Sequence, residues 1–220
     1  MTRAEVSARI EEVGIIPAVR LNSADDARFA AEAVTGAGIP IVEVTMTVPG
    51  AVEVIRESAR HPGLLVGAGT VFHVETARRC LDAGAAFLTT PGLDLDIVNF
   101  AVGRGVVVFP GALTPTEIMA AWKAGCDFVK IFPCFANGGP KYIRTLKMPF
   151  PDIPLIASGG VDQENAGEII LAGAAALGIG RHLIHQDAIK RRELGWIHEL
   201  SRRYIHMVAE ARAQLKETHT

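Results

Sequence analysis

The sequence predicts an α/β protein of the (β/α)8 TIM barrel type with an additional N-terminal helix, residues 1–220 forming one domain. Three observations predict it. Eight short β-rich runs recur at roughly even intervals, each followed by a polar or Gly/Pro break and then an amphipathic stretch. The runs are nearly continuous Val, Ile, Leu and Phe, as strands buried on both faces of a parallel sheet require. No linker or low-complexity stretch divides the chain, and 220 residues suit one large domain.

The elements follow in order. Residues 1–12 carry Arg3, Glu5, Arg9, Glu11 and Glu12, lack the apolar centre of a secretory signal, and read as a short amphipathic helix. A strand over 15–20 leads to a helix over 23–37, opened by Asn22-Ser23-Ala24-Asp25-Asp26 and stopped by Gly36-Ala37-Gly38. Strands over 40–46, 64–70 and 86–91 alternate with helices over 51–60, 73–83 and 94–102. A fifth strand over 106–111 precedes a helix over 116–123 that opens at Thr114-Pro115-Thr116-Glu117. The sixth strand covers 128–133 with a helix over 139–147, and the seventh 154–159 with a helix over 163–171. The eighth strand covers 176–181, and a long last helix runs from about Asp187 to Lys216. An open doubly wound sheet is the structural alternative. It calls for a glycine-rich first turn, and the first turn here is Val19-Arg20-Leu21-Asn22-Ser23.

Composition removes several function classes. A formal charge of −2 offers no electrostatic basis for binding nucleic acid or an anionic membrane. Apolar runs are too short to span a bilayer. Cys80, Cys126 and Cys134 form no metal-spaced or CxxC pair, and an odd, sparse set suits a reducing cytoplasm. His182 and His185 lie three apart without a third ligand, so no metal is expected. No cofactor is expected either. Lys190-Arg191-Arg192 and Arg202-Arg203 read as a solvated face.

Chemistry gathers where a barrel's strands end. Lys130 stands in Phe128-Val129-Lys130-Ile131-Phe132, inside a strongly apolar strand. Burial disfavours its ammonium form, and a neutral lysine is a nucleophile that captures a ketone as a Schiff base. Glu43, in Ile41-Val42-Glu43-Val44-Thr45, is a desolvated carboxylate suited to proton transfer, with Lys130 or Arg20 as its ion-pair partners. Arg20, Thr47, Thr70, Pro91, Phe132, Gly180 and Arg181 stand at other strand ends. Ser158-Gly159-Gly160, read as a turn leading into a helix N-terminus after strand seven, is suited to phosphate, with Arg181 forking the same anion. One lysine, one carboxylate, two cations and several hydroxyls suit a Schiff-base carbon–carbon lyase. A phosphate-binding isomerase or epimerase and a non-catalytic sugar-acid binder are the rival readings.

These residues resemble the KDPG/KHG aldolases, which cleave 2-keto-3-deoxy-6-phosphogluconate (KDPG) or 4-hydroxy-2-oxoglutarate (KHG) to pyruvate and an aldehyde. The resemblance is carried by Ile41-Val42-Glu43-Val44-Thr45, Val66-Gly67-Ala68-Gly69-Thr70-Val71 and Thr90-Pro91-Gly92. It continues through Phe109-Pro110-Gly111, Val129-Lys130-Ile131-Phe132-Pro133 with Ala136-Asn137-Gly138-Gly139, and Ser158-Gly159-Gly160-Val161. It implies a class I aldolase, commonly a homotrimer, acting on a small molecule without metal. KDPG is the implied substrate and KHG a second one, with the galactonate-series phosphate as the alternative. Lys130 then matches the imine-forming lysine and Glu43 the general acid/base. Thr70, Pro91 and Phe132 match the pyruvate pocket, and Gly159 and Gly160 the phosphate turn. Two positions depart. Some members carry a carboxylate-gripping arginine where this chain has Thr47, and Arg20 ends strand one instead. Where the family has a small residue near the phosphate, this chain has Arg181-His182.

Overall fold

The computed structural model of the chain describes residues 1–218. Its first helix is α1 (Arg3–Val13), and eight strand-and-helix repeats follow. The first four are β1 (Ile15–Val19), α2 (Ala24–Gly36), β2 (Ile41–Thr45), α3 (Ala51–Ser58), β3 (Leu65–Gly69), α4 (Val74–Asp82), β4 (Phe87–Thr89) and α5 (Leu95–Gly103). The fifth strand is in two pieces, β5 (Val107–Phe109) and β6 (Gly111–Ala112), before α6 (Pro115–Lys123). Then come β7 (Val129–Ile131), α7 (Gly139–Lys147), β8 (Leu155–Ser158), α8 (Ala166–Leu171), β9 (Ala176–Ile179), α9 (Gln186–Lys190) and α10 (Leu194–Thr218).

All pairings are parallel, in the order β5-β4-β3-β2-β1-β9-β8-β7-β6. Both ends of that order belong to one stretch of chain, so the sheet closes on itself through the fifth strand. Pro110 explains why that strand counts twice: it has no N–H to give to a ladder. Before it β5 pairs with β4, and after it β6 pairs with β7. Thr90 bridges the interruption, its hydroxyl oxygen accepting the Gly111 N–H at 3.3 Å.

Period-two alternation divides the buried residues into two cores. Outward-facing strand residues pack with the helices in the larger cluster. Inward-facing Ile16, Ile41, Leu65, Phe87, Val107, Phe109, Phe128, Ile156 and Ala176 fill the barrel, with Phe87 stacked on Phe109 and Phe109 edge-on to Phe128. Val6 and Ile10 of α1 join that inner core, so the additional helix is the floor of the barrel. Burying such side chains contributes about 1.5–3 kcal/mol each. Asp127 ties the floor down: it accepts from Arg3 Nε at 2.8 Å, from the Ser7 hydroxyl at 3.2 Å and from the Val108 N–H at 3.0 Å.

Two expected helices differ as well. The last helix is divided between α9 and α10, because Arg192 takes a left-handed φ of +55°. Its guanidinium pairs with Asp25 and Asp26 and lies over the Phe29 ring at 4.7 Å, so that part of the basic run is a clamp onto α2. The helix expected from residue 163 starts at Ala166. Asp162 Oδ1 accepts the N–H groups of Glu164 and Asn165, while Asn165 Oδ1 accepts that of Asp162, and this side-chain turn replaces the first helical turn.

Candidate active site

A cavity of about 310 Å³ opens at the C-terminal ends of the strands. Lys130 and Glu43 reach it from strands on opposite sides of the barrel. Phe128, Lys130 and Phe132 share one face of their strand, and Ile41, Glu43 and Thr45 one face of β2, so the apolar members fill the core and the charged ones stand above it. Lys130 Nζ lies 3.5 Å from Glu43 Oε2, and the two side chains are 9% and 3% exposed. Of the two partners open to Glu43, the structure selects Lys130. The same ammonium donates to Thr89 Oγ1 at 3.3 Å and lies 5.8 Å from the centre of the Phe132 ring.

Room for this pair is made by small residues. A Cβ on Gly67 would collide with the Phe87 ring, and one on Gly69 with the Glu43 carboxylate. The spacing in Gly67-Ala68-Gly69 thus empties the inward face of β3 while Ala68 packs outward. Thr70 follows with a left-handed φ of 59°, a conformation that costs a non-glycine residue about 1–2 kcal/mol. Its hydroxyl oxygen accepts from Arg20 Nη2 at 2.9 Å.

Arg20, Thr70, Pro91, Phe132, Ser158, Gly159, Gly160, Gly180 and Arg181 all line the cavity together with Lys130 and Glu43. Thr47 does not. It stands on the exposed β2–α3 connection, where its hydroxyl contacts those of Thr45 (2.7 Å) and the Arg20 guanidinium (3.4 Å). Gly159 and Gly160 have φ of +85° and +84°, and side chains there would meet the Phe132 ring and Phe135 Cβ. Asn165 Nδ2 holds the Gly160 carbonyl at 3.0 Å. Since α8 begins only at Ala166, this rim is a glycine turn and not a helix N-terminus. Arg20 and Arg181 are exposed on the cavity rim, and among the described residues neither forms an ion pair with a carboxylate.

Thr89, fully buried beside Nζ, is the residue that sequence reading passed over in favour of Pro91. Alternation could have found it: Phe87 faces the barrel interior, so Thr89 does too. His182 and Gln186 also reach the cavity wall. Burial pushes the Cys134 thiol up to about 11, so it is no thiolate nucleophile beside Lys130. Among the described residues no helix is long and apolar enough to cross a membrane, and no group of three or more His, Cys, Asp or Glu side chains is gathered to hold a metal ion.

The sequence matches the family described as KDPG and KHG aldolase over residues 6–200. It is 30% identical over 210 residues to the 2-dehydro-3-deoxy-phosphogluconate aldolase of Pseudomonas aeruginosa PAO1, covering 95% of this chain and 96% of that protein. It is 36% identical over 177 residues to the 2-dehydro-3-deoxy-6-phosphogalactonate aldolase of Escherichia coli K12, covering 77% and 83%. The fold superposes with a TM-score of 0.83 on the KDPG aldolase of Legionella pneumophila, solved with pyruvate captured as a covalent carbinolamine. There the identity is 28%, over 89% of this chain and 96% of that one.

Proposed function

The chain belongs to the KDPG and KHG aldolase family, and from that premise we propose that it cleaves a 2-keto-3-deoxy-6-phospho sugar acid to pyruvate and glyceraldehyde 3-phosphate. It is a class I aldolase, a carbon–carbon lyase working through a Schiff base. KDPG is the preferred substrate in this reading, KHG a second one, and the galactonate-series epimer the alternative that the Escherichia coli relative supports.

The observation that carries the assignment is the contact between Lys130 Nζ and Glu43 at the base of a cavity rimmed by two guanidiniums. Lys130 in its neutral form attacks the C2 ketone. Glu43 supplies and removes the protons that turn carbinolamine into imine. The C4 hydroxyl then loses its proton to Glu43, directly or through water, the C3–C4 bond breaks, and its electron pair passes into the protonated imine. The aldehyde leaves; the enamine takes a proton at C3, and water hydrolyses the imine to pyruvate and free Lys130. Arg20 and the Thr70 hydroxyl hold the pyruvate carboxylate, Pro91 and Phe132 shape the pocket around its methyl carbon, and Ser158, Gly159, Gly160, Gly180 and Arg181 receive the phosphate.

Borohydride reduction in the presence of pyruvate tests the reading: a stable mass should appear on the peptide holding Lys130, and an unmodified protein refutes it. Lys130→Met that still turns over would favour the isomerase reading. Comparable kcat/KM for KHG and the phosphorylated substrates would remove the phosphate role of Arg181. The protein is proposed to act in the cytoplasm, which its sparse, unpaired cysteines suit, and as a homotrimer by resemblance to its family; a monomeric mass by light scattering refutes the assembly.

A further inference from the structure

The proposed carboxylate cation, Arg20, is exposed and long, and such a side chain loses much rotamer freedom when it is fixed. Something must hold it over the cavity. The hydrogen bonds around it run in one direction only. The Val19 carbonyl can only accept, so the Thr45 hydroxyl, 3.0 Å away, spends its single proton there. The 2.7 Å contact between Thr45 Oγ1 and Thr47 Oγ1 must then be donated by Thr47. With its proton committed, Thr47 presents only lone pairs to Arg20 and accepts Nη1–H at 3.4 Å. On the other side Nη2–H goes to Thr70 Oγ1 at 2.9 Å, which leaves the Thr70 proton free for a ligand in the cavity. Thr45 is fully buried at the end of β2, two residues after Glu43.

We propose that Thr45 and Thr47 are positioning residues. Their hydroxyls form a strut from the β1 backbone to the Arg20 guanidinium, and that strut sets the enzyme's selectivity for a substrate whose ketone carries a neighbouring carboxylate. Neither residue reaches the cavity wall, so both act through Arg20. The strut also places the carboxylate cation and the proton carrier on one rigid frame: the Val19 carbonyl at its foot lies in β1, which pairs with β2 at Ala18↔Glu43 and Val19↔Val44. A strand shift that moved one would move the other.

This inference rests on the imine reading of Lys130, and the experiment separates the two. Imine formation is followed by borohydride trapping on the intact protein with pyruvate and, in parallel, with pyruvamide, which keeps the ketone and lacks the charge. In Thr47→Val the pyruvate concentration for half-maximal trapping should rise about ten-fold, as for loss of a hydrogen bond to a charged group. The pyruvamide value should stay within about two-fold and kcat for cleavage should change little, the signature of lost ground-state binding. Thr47→Ser, which keeps the hydroxyl, should behave as the unsubstituted protein. Thr45→Val should reproduce the selective shift; if that buried variant fails to fold, the exposed Thr47 decides alone. Equal shifts for both ketones, or no shift for either, overturn the strut. Trapping of neither ketone by the unsubstituted protein overturns the imine reading, and the strut with it.

Discussion

Replacing Gly69 by alanine adds one methyl group and should cost most of the catalytic rate. Neither Gly69 nor Gly67 uses the left-handed backbone, so the effect of either substitution is steric. An ordinary contact for a Cβ is 3.4–4 Å, and a Cβ on Gly69 falls far inside that limit against Oε1, Cδ and Cγ of Glu43. The carboxylate must retreat by roughly 1 Å or more, and a misplacement of that size costs on the order of 100-fold in rate. That corresponds to about 2.7 kcal/mol of barrier. Overpacking itself costs about 1–3 kcal/mol of stability, which for a chain of this size lowers Tm by roughly 2–12 °C. Gly67→Ala is the matched control, because its Cβ strikes the Phe87 ring and not Glu43. Both variants should show similar melting shifts, read by differential scanning fluorimetry. Only Gly69→Ala should lose kcat per folded molecule, read by coupling pyruvate release to lactate dehydrogenase. If Gly69→Ala keeps kcat while Gly67→Ala loses it, or if both lose it equally, the glycines do not serve to seat Glu43 and the reasoning is refuted.

Three further outcomes are expected. Thr89→Val removes the buried hydroxyl 3.3 Å from Lys130 Nζ; kcat/KM should drop about ten-fold and Thr89→Ser should restore it, whereas an unchanged Thr89→Val would make that contact incidental. Burial pushes the thiols of Cys80, Cys126 and Cys134 up to about 11, 12 and 11, with the charge of Asp127 adding to the rise at Cys126, so the native protein should take up no iodoacetamide at pH 8 and the denatured chain should take up three equivalents. The main-chain N–H groups of Thr114 and then Leu113 hold the Glu117 carboxyl below its ordinary 4.5 in the capping box of α6. Its stabilisation is therefore fully present above the unfolded value and is lost as pH falls through the lower folded one. Thr114→Ala should cost about 1 kcal/mol at neutral pH, and urea melts of Glu117→Gln should converge with those of the unsubstituted protein in acid; a constant gap would contradict the assignment.

Much of the architecture was legible because buried parallel strands leave an unmistakable pattern of Val, Ile, Leu and Phe separated by helix caps. Ser23 and Thr114 do cap helices, and Gly84, Gly125 and Gly173 lie just past helix ends with positive φ. Strand ends gave up Lys130, Glu43, Arg20 and Thr70 for the same reason: a charge or hydroxyl at the close of an apolar run stands out. What stayed hidden depended on neighbours distant in sequence. The break at Arg192 is set by Asp25, Asp26 and Phe29 on another helix. The late start of α8 comes from reciprocal side-chain bonds between Asp162 and Asn165 that composition does not reveal. Thr89 meets Lys130 only because the closed barrel brings two strands far apart in sequence to the same point.

By itself the sequence determined the barrel class, the order of its units and the residue types gathered at one end, because periodicity and burial are local properties of a chain. Only the tertiary structure decided that Glu43 pairs with Lys130 and that its carboxylate occupies the space a side chain on Gly69 would fill. It also decided that Thr47 stands behind Arg20 instead of in the cavity. Those are contacts between strands, set by register and by the width of a closed barrel, and no single stretch of sequence encodes them.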